Sequence, residues 1–221
     1  VKLGGKWGFI SESGKEITPV KYDAVTAFAD GLAGVKLDGK WGYINQRGEE
    51  VIVPKYDEIK EFSENRAGVR LDGNWGYIDG SGEEVISPQY DEAGKFDKGL
   101  ASVSINGRWG LIDKNGELKC KIIYDSIFNN EGMSLIRVDL DGMTGYINRA
   151  GKVVIPIMYE EVINYNDEAV VVRAGKKWGA YDSTGKMAVP VNYEGIDNLN
   201  VYHDDKKGIT TIYVNATLKK K

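Results

Sequence analysis

Apolar and polar residues alternate along short segments of the chain, and glycine-containing turns separate these segments. In one clear copy, residues 33–37 read AGVKL, the turn DGK follows, and WGYIN restores the alternation over residues 41–45. A period of two is typical of a half-buried β-strand, and a short turn containing glycine joins two such strands into a hairpin. The pattern therefore predicts a β-hairpin over residues 33–45.

A second turn follows the hairpin at Asn45–Gly48. An Asx residue in first place and glycine in fourth suit a type I turn with a glycine bulge, because the Asx side chain accepts hydrogen bonds from the backbone ahead and glycine tolerates a positive φ. A third strand, Glu50–Val53, is predicted to end at Pro54 or to lie at a sheet edge, since proline donates no hydrogen bond. Residues 57–62 are predicted as either one helical turn or a fourth short strand.

The whole pattern repeats with a period of 34 residues, and one step is 35 residues long. The extra residue is placed near Gly132 and Met133. All five prolines lie two or three residues before a recurring tyrosine, and Lys121 breaks that rule in the fourth copy. One column holds tryptophan, with one threonine in its place: Trp7, Trp41, Trp75, Trp109, Thr144 and Trp178. Another column holds tyrosine followed by an acid: Tyr22, Tyr56, Tyr90, Tyr124, Tyr159 and Tyr193.

A meander of this size encloses too little apolar interior to be stable alone, so each copy must pack on its neighbours. The sequence predicts an all-β fold: a single tandem-repeat domain over residues 1–221 with about six short antiparallel β-meander units. The last copy, about 193–221, is degenerate. An open solenoid-like array is favoured, with a closed β-propeller as the alternative, because propeller blades usually exceed 34 residues.

The aromatic columns are assigned to different depths. The tryptophans alternate with isoleucines, so they are predicted to fill the space between successive units, and Trp75→Ala is expected to cost about 3 to 5 kcal/mol. The glycine after each tryptophan is predicted to permit the close approach of another backbone or ring. The column tyrosines are predicted at the rim of the core, because each hydroxyl needs water or a partner.

These motifs resemble the WG-repeat family, also called KWG repeats. The similarity runs from Gly5 to about Leu199, with departures at Thr144, at Lys121 and after Tyr193. It implies a mostly bacterial module, sometimes on secreted or surface proteins, with no general enzymatic activity and no family set of binding residues. The matching motifs are GKWGFI, GKWGYI, GNWGYI and GRWGLI, with VIVPKYD and VISPQYD after two of them.

Net charge and the length of apolar runs limit the classes of partner that this chain is expected to bind. Lys and Arg number 29 against 33 Asp and Glu, a formal charge of −4, so no basic footprint for nucleic acid exists. No apolar run approaches the roughly 20 residues needed to span a bilayer. The chain starts inside a repeat, at Val1, so a processed or excised piece is expected. Its compartment is not predicted, although a bacterial extracellular or cell-surface location is slightly favoured.

Catalytic, metal and cofactor sites are not predicted. His203, the sole histidine, lies in the polar segment YHDDKKG and is expected to be exposed, and Cys120 is the sole cysteine. The chain therefore lacks the additional His or Cys side chains that histidine-dependent catalysis or a zinc site requires. Paired acids at Glu49 with Glu50, Glu83 with Glu84 and Glu160 with Glu161 recur with the repeat or lie on turns, which indicates turn caps and solvated edges.

The predicted function is a non-enzymatic repeat module that offers a binding or scaffold surface to another macromolecule, most simply a protein. The alternative is a cell-surface glycan or cell-wall binding module, which requires several Trp or Tyr rings to be exposed in a row. The glycine-rich segments are interpreted as hairpin turns, because no helix follows them to bind phosphate. The terminal residues Leu218 to Lys221 are interpreted as a frayed, solvated end.

Overall fold

A computed structural model describes the backbone of residues 1–129, 134–165, 169–204 and 209–217, and the side chains of residues 1–129, 134–163 and 169–196. Gly132, Met133 and the side chain of His203 lie outside these ranges, as do residues 218–221. No helix of membrane-crossing length and apolarity occurs in the described ranges. The strands, in chain order, are β1 Lys2–Leu3, β2 Lys6–Trp7, β3 Ala24–Ala29, β4 Leu32–Leu37, β5 Lys40–Asn45, β6 Glu50–Tyr56, β7 Glu58–Ile59, β8 Arg66–Leu71, β9 Asn74–Asp79, β10 Glu84–Tyr90, β11 Glu92–Ala93, β12 Leu100–Ile105, β13 Arg108–Asp113, β14 Leu118–Tyr124, β15 Ser126–Phe128, β16 Leu135–Leu140, β17 Met143–Asn148, β18 Val153–Tyr159, β19 Glu161–Tyr165, β20 Ala169–Ala174, β21 Lys177–Asp182, β22 Met187–Tyr193, β23 Gly195–Asp204 and β24 Ile209–Thr217.

The strands form a tandem series of antiparallel sheets. Five four-stranded sheets, β3–β6, β7–β10, β11–β14, β15–β18 and β19–β22, lie between the two-stranded sheets β1–β2 and β23–β24. The predicted all-β tandem fold is confirmed. The chain divides into a first body, Val1–Gly107 with Leu111–Leu118, and a second body, Arg108–Gly110 with Lys119–Lys221. The single domain and the open array stay predictions.

The hairpin and the Asx turn form where the sequence places them. In the β4–β5 hairpin, Leu37 lies opposite Lys40, and Asp38 and Gly39 have φ values of 50° and 81°, the positive pair that a type I′ turn requires. In the following turn, Oδ1 of Asn45 accepts the backbone N–H of Arg47 at 2.9 Å and that of Glu49 at 3.1 Å. The hydrogen bonds that the Asn45 side chain accepts therefore stabilise the second turn, as predicted.

The third strand is longer than predicted. Strand β6 does not end at Val53 but continues through Pro54 to Tyr56. Ile52 lies opposite Tyr43 and Tyr56 lies opposite Trp41. Strand β6 therefore contains more residues than β5 over the same length, which is a β-bulge, and this bulge accommodates the proline. The edge position that proline predicted is correct, because β6 is one of the two edge strands of its sheet. We call the last strand of each four-stranded sheet its outer strand.

The segment after the column tyrosine is a fourth strand and not a helical turn. Strand β7, at Glu58–Ile59, pairs with β8 and opens the next sheet. Each sheet is therefore completed by residues that the sequence pattern places at the end of the preceding copy. The offset between copy and sheet ties consecutive repeats together along the chain.

The glycine after each tryptophan allows two backbones to meet. A Cβ on Gly42 would lie 2.3 Å from the Ile52 carbonyl oxygen and 2.7 Å from the Pro54 nitrogen. The predicted close approach is confirmed at this glycine. The approaching backbone belongs to the outer strand of the same sheet, at the bulge around the proline.

The core lies between consecutive sheets. In the first body, Tyr43, Ile52 and Tyr56 on sheet β3–β6 cluster with Ala67, Val69 and Ile78 on sheet β7–β10. The second body repeats the arrangement, because residues of sheet β15–β18, including Tyr146 and Tyr159, cluster with residues of sheet β19–β22. Within each body, neighbouring sheets therefore bury apolar faces against each other, as the size of one meander requires.

The prediction that the tryptophan column lies deeper than the tyrosine column is wrong, because the tyrosines are the more deeply buried. Trp75 is 5% exposed, but the other column tryptophans are half-buried. By contrast, Tyr22, Tyr56, Tyr90, Tyr124 and Tyr159 are all at most 5% exposed. A tyrosine hydroxyl can find its partner inside the core, as the Tyr159 and Tyr181 hydroxyls do at 2.6 Å, and the Tyr56 hydroxyl is buried without a hydrogen-bond partner in the part of the chain that the structure describes. Burial raises the pKa of Tyr159 and keeps its phenol neutral.

Candidate functional site

The acid that follows each column tyrosine joins two consecutive copies. Asp57 Oδ1 pairs with the Lys40 ammonium group, which precedes the tryptophan of the same copy. Its other oxygen, Oδ2, accepts the backbone N–H of Asp72 in the hairpin turn of the next copy, at 3.1 Å. One carboxylate therefore binds a lysine behind it and a turn ahead of it.

This joint recurs along the chain. The backbone N–H of Asn106 donates to Asp91 at 2.5 Å in the first body, and that of Asp141 donates to Asp125 at 2.6 Å in the second. Gly175 donates in the same way to Glu160 at 3.1 Å. Cation and acid lie 17 residues apart in three pairs: Lys6 with Asp23, Lys40 with Asp57 and Arg108 with Asp125. The lysine or arginine of the KWG motif is thus structural.

We expect the free energy of unfolding to fall as the pH drops below about 4. Hydrogen bonds from Lys6 and Lys40 lower the pKa of Asp23 and Asp57 below the usual 3.8, against a smaller opposing effect of desolvation. A carboxyl with a lowered folded-state pKa stabilises the fold above its unfolded pKa, and the contribution is lost as the pH falls through the folded value.

Urea unfolding between pH 7 and pH 2 measures this loss. Asp57→Asn removes one of the titrating groups, so its unfolding free energy should vary less with pH than that of the wild type. Equal pH dependence in the two proteins would contradict a stabilising role for the Asp57 carboxylate.

Thr144, which replaces a column tryptophan, is the centre of a polar cluster. Thr144 is 6% exposed, and its hydroxyl donates to Asp139 Oδ1 at 2.6 Å. Asp139 also accepts from Ser126 at 2.7 Å and from Arg137 at 3.1 Å. Desolvation raises the pKa of Asp139, but these hydrogen bonds outweigh it and the pKa is lowered. The cluster therefore fills the missing ring's place with satisfied polar groups.

Five of the six paired acids lie in ion pairs. Glu49 accepts from Asn45 and Arg47, and both Glu160 and Glu161 contact Arg173. No group of three or more potential metal ligands lies together among the described residues. The expected roles as turn caps and solvated edges agree with these contacts, while the absence of enzymatic activity stays a prediction.

The tryptophan rings do not stand free in a row. The Lys36 ammonium lies 5.8 Å from the centre of the Trp41 ring, Lys60 lies 4.8 Å from that of Trp75, and the Arg173 guanidinium lies 5.8 Å from that of Trp178. A cation therefore covers one face of each of these rings. A sugar platform needs open ring faces, and these three faces are occupied.

The outer strands of the two bodies differ in chemistry. In the first body, the first residue of two outer strands lies in a surface ion pair: Glu50 of β6 pairs with Lys21 at 3.0 Å, and Glu84 of β10 pairs with Lys55 of β6 at 3.6 Å. Register assigns the positions of Glu50 and Glu84 to Val153 and Met187 in the second body, because each stands opposite the residue three after the column tryptophan or threonine.

These positions expose apolar side chains in the second body, and Leu118, the equivalent residue of β14 at the end of the first body, is also apolar and 55% exposed. Val153 is 43% exposed and Met187 is 48% exposed. Ile123 and Met158, which precede column tyrosines as Lys55 does, are 43% and 53% exposed. We call these four residues of the second body the apolar edge. The sequence analysis did not find the apolar edge, because it compared the residues that the copies share. The edge lies at two positions where the residue differs between copies.

Comparison with known families supports the repeat. The family model described as "WG containing repeat" matches six consecutive segments, 7–41, 41–75, 75–109, 109–142, 145–178 and 178–200. No curated protein matches the sequence.

Similar solved structures are far from this chain in sequence. Hsv2 of Kluyveromyces lactis is 7% identical over 88% of this chain and 85% of that chain, with a TM-score of 0.44. Hsv2 of Kluyveromyces marxianus is 10% identical over 88% and 84%, with a TM-score of 0.45. The CNH domain of AfRom2 is 9% identical over 96% and 85%, with a TM-score of 0.38.

Proposed function

We propose that this chain, which belongs to the family of WG-containing repeats, is a non-enzymatic module that binds another protein through the outer strands of its sheets. The observation that carries the proposal is the apolar edge of the second body. Met158 and Met187 are about half exposed there, at positions equivalent to those that hold ion pairs in the first body. Exposed apolar rows with polar surroundings are typical of protein interaction surfaces.

The recurring residues support a structural role for the rest of the motif. The acid column accepts hydrogen bonds from the next hairpin turn, and the column tyrosines lie between sheets. A group committed to such a joint is not available for substrate. Binding is therefore assigned to residues that vary among copies.

A protein partner fits the apolar edge better than a glycan does. Methionine adapts its flexible side chain to an apolar surface, and such residues are common at protein-binding sites. Sugars are bound by aromatic faces, and a cation covers one face of each of Trp41, Trp75 and Trp178. The glycan-binding alternative predicts that soluble cell-wall polysaccharide alters tryptophan fluorescence, and we expect no change.

Affinity capture with three forms of the chain tests the proposal. Met158→Glu with Met187→Glu places two charges on the apolar edge, whereas Leu3→Glu charges a residue that is 75% exposed on β1. We expect proteins from the native host to be retained by the wild type and by Leu3→Glu, and to be lost from the double variant. Retention of the same proteins by all three forms would contradict binding at the apolar edge.

A further inference from the structure

We propose that the apolar edge binds a second copy of this chain, head to tail, through the glutamate-rich outer strands of that copy's first body. This inference rests on the proposed function and identifies the partner of the same surface. Two observations support it: the outer strands of the first and second bodies carry opposite charge, and their charged residues have the same spacing.

The outer segments of the two bodies carry opposite charge. Residues 49–56 and 83–90 of the first body contain four glutamates and one lysine. Arg47 and Lys21 pair with two of these glutamates, so four acids still outnumber three cations. Residues 152–159 and 186–193 of the second body contain two lysines and no acid. Glu49 and Glu83 in the first body correspond to Lys152 and Lys186 in the second, directly after the Asx-turn glycine. All four residues are exposed. Complementary charge steers association and suppresses pairing of like surfaces.

The two surfaces also share one spacing. Glu49 and Glu83 are 34 residues apart, as are Lys152 and Lys186, and the members of each pair directly precede the outer strands of neighbouring sheets in one body. Two surfaces built on the same repeat present their charges at the same interval, so two contacts form together. Simultaneous contacts strengthen binding beyond either contact alone.

Apolar contact accompanies the charge match. Val53, between the glutamates of the first body, is 62% exposed, and Met158 and Met187 are the apolar residues it can meet in the second body of another copy. The outer strands contain prolines, including Pro54 and Pro156, which interrupt the donors needed for a continuous ladder between copies. The contact therefore uses side chains, and it joins unlike surfaces, which makes it heterologous.

Sedimentation velocity of the wild type from about 10 µM to about 1 mM, the range of weak association, is the first measurement. We expect the mean sedimentation coefficient to rise with concentration. The apparent association constant should fall about ten-fold between low and high salt, because exposed charges are screened. A wild type that stays monomeric at every concentration overturns the inference and leaves capture of other proteins at the apolar edge untouched.

Mixing two variants distinguishes head-to-tail contact from any other. One variant, Glu49→Lys with Glu83→Lys, keeps its apolar edge; the other, Met158→Glu with Met187→Glu, keeps its glutamates. We expect each alone to be monomeric, with circular dichroism like that of the wild type, and their mixture to form a one-to-one dimer and nothing larger. An associating wild type whose two variants fail to combine overturns the head-to-tail arrangement.

Discussion

Tyr77→Ala is expected to lower the free energy of unfolding by about 3 to 5 kcal/mol, the range for removing a large buried ring. Tyr77 is fully buried in the first body. Its ring meets the edge of Phe96 with centroids 4.9 Å apart, and its hydroxyl donates to the Gly94 carbonyl at 2.7 Å. Both partners follow the start of the next sheet, so the substitution removes a contact between sheets as well as core volume.

Urea unfolding followed by circular dichroism measures this loss, and Tyr77→Phe is the matched control. The phenylalanine keeps the ring and removes only one hydrogen bond, so it should cost about 1 kcal/mol. An alanine variant that unfolds at the same urea concentration as the phenylalanine variant would contradict the placement of this ring between sheets.

Gly76→Ala is expected to cost about 3 kcal/mol, at the upper end of overpacking effects. A Cβ at this position would lie 2.4 Å from the Ile86 carbonyl oxygen and 2.6 Å from the Pro88 nitrogen. Both obstacles are backbone atoms of the outer strand, so no side-chain rotation relieves the clash. The strands must separate, and the hydrogen bonds between them weaken.

Gly73→Ala is the matched control for this substitution. Gly73 has a φ of 88°, and a Cβ there would meet nothing within 4 Å. Only backbone strain of about 1 kcal/mol is expected. Gly76→Ala should therefore lower the free energy of unfolding more than Gly73→Ala does, although only Gly73 has a positive φ. The reverse order of urea midpoints would contradict the close approach of β9 and β10.

The local elements could be predicted because each rests on neighbouring residues. The Asp-Gly turn at Asp38 requires two positive φ values, and Asn45 caps its own turn. The length of the repeat further indicated that copies pack on one another, since one meander cannot bury enough surface. Both results follow from short-range chemistry and from the size of one copy.

The joints between copies could not be predicted from the same signals. A period of 34 residues shows which positions are equivalent but not which positions touch. Asp57 contacts Lys40 behind it and Asp72 ahead of it, and only the stacked sheets bring these groups together. The aromatic columns were misassigned for the same reason, because Trp41 and Tyr56 are neighbours across β5 and β6 and their depths depend on the sheets above and below.

The outer strands show how function can differ from the motif. The family motif specifies turns, rings and acids that hold copies together, and it leaves the exposed residues of β18 and β22 free to change. In this chain those residues include Met158 and Met187. Recognition is thus expected to vary among proteins that share this repeat, while the stacking of copies stays the same.

Amide hydrogen exchange at Asn106 examines whether each copy is completed by the one before it. Its backbone N–H donates to the Asp91 carboxylate at 2.5 Å, and a hydrogen bond to a charged group contributes about 1.5 to 3 kcal/mol. We expect this amide to be protected in the wild type and to exchange at least about ten-fold faster in Asp91→Ala. Equal exchange rates in the two proteins would show that the acid column does not join the copies.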